Sequence, residues 1–145
     1  MRISSAVLLL ALVSCGGKPF PTSSVSTEPE IFIVSEVARF SSVLDVHVVG
    51  EITDKRQTFG CDGSDPACHS FGFYNGGIGE GAHGAAYFYR PDVNDERYRY
   101  ILTDAAAHEV CHTKTFAHDI RHWCCMAKIA TPTYPLSIQG TPVCQ

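Results

Sequence analysis

The chemistry of this chain is concentrated between His108 and Met126, in the run HEVCHTKTFAHDIRHWCCM. His108 and His112 stand four apart, with Glu109 directly after the first, giving HExxH. On a helix, positions i and i+4 share one face, so these two imidazoles can hold one metal ion. Glu109 is turned by about 100° from His108. Its carboxylate then lies beside the metal, where it can hold and deprotonate a water that the metal activates. A third histidine, His118, follows His112 by six residues. A continuous helix would carry it roughly 80° off the His108 direction and about three turns further along. The chain must therefore leave the helix after His112 and turn back.

This run resembles the metzincin metalloproteases, whose pattern is HExxHxxGxxH. His108, Glu109, His112 and His118 occupy its positions, and Thr115 stands where the family has glycine. Glycine suits a turn at positive φ, which a β-branched threonine resists, so the resemblance implies strain at Thr115. The spacing downstream is similar to the archaemetzincin pattern of Cys, four residues, Cys-x-Met, seventeen residues, Cys. Asp119 replaces the first of those cysteines, while Cys124, Met126 and Cys144 match; Gln145 follows before a last cysteine is reached. The cysteine zinc site of that family is thus incomplete, and a Cys124–Cys144 disulfide is the expected substitute. Met126 corresponds to the family's Met-turn beneath the ligands.

The resemblance implies a single α+β domain of zincin type, with a small mixed twisted sheet, a backing helix and an active-site helix. It implies Zn²⁺ held by His108, His112 and His118, Glu109 as general base, and a peptide or protein substrate. The alternative is a non-catalytic surface lipoprotein that keeps the fold as a binding or structural module.

The elements that must position these residues are legible in part. Thr27-x-x-Glu30 forms a capping box, and Ile31, Val34, Val37, Ala38, Ser41 and Leu44 recur at helical spacing, predicting a helix from Glu28 to about Ser42. The stretch 45–52, DVHVVGEI, alternates with period two and predicts a strand; His47 within it reads as a surface or core residue. The polar stretch 54–69 carries the turn-rich loop GCDGSDPACH, where Cys61 and Cys68 are expected to pair. Glycine-rich 70–84 has no Lys-Ser/Thr after it and is not a phosphate loop. Residues 85–89 predict a strand. By resemblance, Ala82 to Phe88 is the antiparallel edge strand over the cleft, with His83 on its rim, unless it is a surface hairpin. Arg90 to Arg99 reads as a charged loop, and Thr103 or Asp104 as the cap of the active-site helix. Pro132, Pro135 and Pro142 break any long helix after Met126.

The first residues, MRISSAVLLLALVSCGG, combine Arg2 with an eight-residue apolar run, too short to span a bilayer. Leu12 to Cys15 is similar to a bacterial lipobox, predicting a signal peptide over 1–14 and lipidation at Cys15. A tether over 15–26 and a domain over 27–145 follow, on an exported protein anchored in the cell envelope. Without Arg2 the net charge is about −5, against −4 for the whole sequence, so nothing marks a nucleic-acid surface. Cys111 and Cys125 either pair or stay as small buried thiols.

Overall fold

The structure is a computed structural model that describes residues 21–56 and 70–129. It is an α+β arrangement of a small mixed sheet and several helices. Helix α1, Glu28–Leu44, opens with the expected capping box: Glu30 N–H donates to the Thr27 hydroxyl, and the Glu30 carboxylate accepts from Thr27 N–H. It ends where Asp45 takes a left-handed conformation (φ 53°). The sheet has strands β1 (His47–Thr53), β2 (Gly72–Gly76) and β3 (His83–Tyr89) in the order β1-β3-β2. β1 runs parallel to β3, His47 opposite His83; β2 is antiparallel to β3, Phe73 opposite Tyr87. A short helix α2 (Arg90–Val93) and a 3-10 helix (Glu96–Ile101) lead into α3 (Leu102–Cys111), and α4 (Ile120–Ile129) follows.

The core lies between α1, α3 and one face of the sheet. Ile33, Val37 and Phe40 of α1, Val48 and Ile52 of β1, Ala86 and Phe88 of β3, and Ala106 and Val110 of α3 are buried together. The N-terminus of α1 is tied down by a buried polar node. Glu30 is fully buried and accepts from Ser26 N–H (2.8 Å) and Asn94 Nδ2 (2.8 Å), with Arg90 at 3.4 Å. Each carboxylate oxygen is satisfied, which is what burial of a charge requires.

Four sequence expectations need correction. Residues 82–88 are not an edge strand: β3 is the middle strand and is paired on both sides, consistent with its buried Ala86, Tyr87 and Phe88. The antiparallel edge of the described sheet is β2, hidden in the glycine-rich stretch. Gly84 serves packing there, since a Cβ on it would lie 2.5 Å from the Tyr74 ring, while Gly79 and Gly81 take the positive φ of the turn between β2 and β3. His83 is not on the cleft rim; it stacks on His47 at 4.5 Å where β1 and β3 begin. Arg90 to Arg99 is mostly helical rather than a loop. Thr103 and Asp104 lie inside the first turn of α3, which begins at Leu102 with no side-chain cap, because the preceding 3-10 turn feeds straight into it. No helix among the described residues is long and apolar enough to cross a membrane.

Candidate metal centre

α3 carries His108 and Glu109 and ends at Cys111, with His112 as its C-cap. The last turn tightens, as Thr113 N–H and Lys114 N–H bond three residues back, to Val110 and Cys111. The chain then leaves the helix and returns through 115–119. Thr115 makes this turn without strain. Among the described non-glycine residues only Asp45 has positive φ, so the expectation of a glycine-like conformation at Thr115 is corrected. The buried Thr115 hydroxyl instead accepts from Ala117 N–H and from Arg121, both at 3.1 Å. A hydroxyl that bonds its neighbouring backbone stabilises a turn by itself. Asp119 caps α4 by accepting from Arg121 N–H at 2.9 Å, and Trp123 Nε1 donates to the His118 carbonyl at 3.1 Å.

This path brings His118 back to α3, its Nε2 lying 2.9 Å from His108 Nε2. It also brings a residue the sequence reading passed over. His122, on α4, joins His108, His112 and His118 in a cluster whose four ligand atoms all lie within 4.8 Å of one another and could hold a metal ion. The signal was present: His118 and His122 are four apart, and His122, Cys125, Met126 and Ile129 are the buried face of an amphipathic helix. That helix also corrects the reading of Met126, which is buried inside α4 rather than in a turn. The i, i+3, i+4, i+7 apolar pattern wins over the spacing borrowed from a turn.

The imidazoles suit a metal. Burial, together with the neighbouring imidazoles, pushes His108 down to about 3. Burial pushes His122 down to about 4 and lowers His112. These rings are neutral at pH 7, the form that ligates. A carbonyl only accepts, so His112 donates Nδ1–H to Thr115 O (3.0 Å) and keeps Nε2 bare. By the same logic His122 donates Nε2–H to His108 O (3.0 Å) and keeps Nδ1 bare; that atom is buried with no hydrogen-bond partner. Carbonyls that accept from the far ring nitrogen in this way commonly orient metal-bound histidines. The four histidines could therefore hold a metal ion.

His108, Glu109, His112 and His118 line one cleft of about 760 Å³. Its opposite wall is β2, from Gly72 to Asn75, with Phe71, Phe116 and Asp104 at its margins. Glu109 is almost fully buried, its Oε2 has no hydrogen-bond partner, and burial pushes its carboxyl up to about 8. Gly72 makes room for it: a Cβ there would lie 3.1 Å from Glu109 Oε1 and 2.9 Å from the Phe88 ring.

A disulfide joins Cys111, at the end of α3, to Cys125 on α4 with Cα atoms 5.7 Å apart, resolving the choice between pairing and free thiols. It ties α3, which carries His108 and is capped by His112, to α4, which carries His122. Cys124 is also disulfide-bonded; Cys144 lies outside the described residues, as do Cys61, Cys68, Cys15 and the three downstream prolines. Compared with known proteins, the chain matches no family description, no curated protein and no solved structure.

Proposed function

We propose that the protein is a metzincin-like zinc metallopeptidase. One observation carries the reading: an HExxH pair, its buried glutamate and a returning histidine line a single cleft whose other wall is an antiparallel edge strand. When bound by His108, His112 and His118, zinc would polarise the scissile carbonyl and acidify a water. The chain's own residues do the rest. β2 offers its outer backbone edge to an extended peptide, the usual way a strand takes up a substrate chain. Phe71, Phe73, Tyr74 and Phe116 give the cleft an apolar wall that excludes water and favours apolar side chains. Burial leaves the Glu109 carboxyl neutral when no cation is near; a metal on the histidines would favour its ionised form, and Oε2, uncommitted, then accepts the proton of the attacking water and passes it to the leaving amine. Thr115 O holds the His112 ring in its ligating orientation.

The test is Glu109→Gln. It should abolish peptide cleavage while zinc binding persists; cleavage that survives in this variant refutes the reading. A second reading, a non-catalytic module that merely holds a metal, draws on the fourth imidazole of His122, because four protein ligands close a zinc site. We further propose that the protein is anchored to the cell envelope through lipid on Cys15. Cys15→Ser should move it out of the membrane fraction, and unchanged detergent partitioning would rule the anchor out.

A further inference from the structure

We infer that Nδ1 of His122 is a fourth protein ligand to the metal, so that the resting centre is closed by four imidazoles rather than three imidazoles and a water. The inference rests on the metal site of the proposed function but not on peptidase activity.

His122 reaches the cluster from behind. It is fully buried and is not part of the cleft lining, whereas the other three histidines face the cleft. Its ring centroid lies 4.4 Å from that of His108, 4.5 Å from His112 and 5.1 Å from His118. Its orientation is fixed twice. The Nε2–H bond to His108 O holds one edge of the ring, and the Cys111–Cys125 disulfide holds α4 against α3. The opposite edge therefore presents Nδ1, a buried lone pair with no hydrogen-bond donor. Buried polar atoms are almost always satisfied, and an unmet acceptor facing three other imidazoles finds its partner in a cation. A purely structural histidine would need only the Nε2 bond and would leave Nδ1 unmet.

One consequence concerns substrate entry. With four protein ligands, both the water that the proposed function requires and a substrate oxygen reach the metal only at a fifth position or after the departure of one imidazole. His118 is the member able to leave, since it is exposed and sits in the 115–119 turn, while His112 and His122 are buried.

The experiment uses the full chain, stripped of metal and reloaded with cobalt(II), whose X-ray absorption fine structure counts imidazoles and whose visible spectrum reports coordination number. The wild type should show four imidazoles and no water oxygen. His122→Gln keeps a donor for His108 O but removes the ring nitrogen. It should show three imidazoles plus an oxygen, with cobalt affinity reduced more than the roughly 10–100-fold that follows loss of a group that only hydrogen-bonds a ligand. Three imidazoles and an oxygen in the wild type, or unchanged affinity in His122→Gln, would overturn the inference. Should His122→Gln fail to fold, the wild-type count alone decides. Peptide cleavage measured on the same samples is independent: a four-imidazole centre without cleavage supports this inference and refutes the peptidase reading, and three imidazoles with cleavage do the reverse.

Discussion

Thr115→Gly tests whether the turn after His112 has been read correctly. Restoring the glycine of the HExxHxxGxxH pattern would relieve strain if position 115 had positive φ, but it does not. The substitution instead removes a hydroxyl that accepts from Ala117 N–H and Arg121. Losing that bond costs about 1 kcal/mol. The buried methyl contributes roughly 0.8 kcal/mol, and the freedom glycine adds to the unfolded chain roughly 0.5–1 kcal/mol. The expected destabilisation is about 2–3 kcal/mol. For a domain of this size that lowers Tm by about 10 °C, read by calorimetry on metal-free protein. Thr115→Ser keeps the hydroxyl and should lose only about 1 kcal/mol. Zinc affinity of Thr115→Gly should fall with the ordering of His118. A raised Tm or tighter zinc binding in Thr115→Gly would refute this account of the turn.

Three further outcomes follow from the same structure. Burial alone would raise the Glu30 carboxyl, but bonds from Asn94, Ser26 and Thr27, with Arg90 adding charge, hold it below its ordinary value of 4.5. Its contribution to stability is therefore full above the unfolded value and is lost as pH falls through the folded one. Glu30→Gln should flatten the acid limb of the stability profile, and an acid limb parallel to the wild type would contradict this. Removing the Cys111–Cys125 disulfide as the double serine variant should cost about 3 kcal/mol in denaturant unfolding, as expected for a loop of this length; a midpoint unchanged from wild type would show that the bond does not hold α3 to α4. Gly72→Ala pushes a methyl into the Phe88 ring and Glu109, and should cost about 1–3 kcal/mol and reduce cleavage; normal stability and turnover would show that the close approach at Gly72 is not needed.

How far the sequence speaks depends on the kind of signal. Local signals carried over directly. The capping box at Thr27 and Glu30 opens α1 where expected. The need for a break after His112 is met by the end of α3 at Cys111. Signals that depend on partners did not carry over. Whether a strand is central or at the edge is set by what pairs with it, so the sequence of 82–88 does not reveal that β3 is central, and the glycines of 70–84 mask β2. Tyr74, which covers Gly84, becomes meaningful only once β2 and β3 are side by side. The family pattern points to a glycine at position 115, whereas the structure makes the same turn with the Thr115 hydroxyl. His122 was legible as the second member of an i, i+4 pair, but a pattern that ends at the third histidine directs attention away from it.

The central claim is tested most directly by returning zinc to metal-free protein while following both binding and hydrolysis of an apolar quenched peptide. The account predicts that cleavage is absent without metal and rises in proportion to bound zinc, reaching its plateau at one equivalent. Full zinc occupancy with no cleavage of any peptide in a broad apolar set, or cleavage undiminished after the metal is removed, would contradict it.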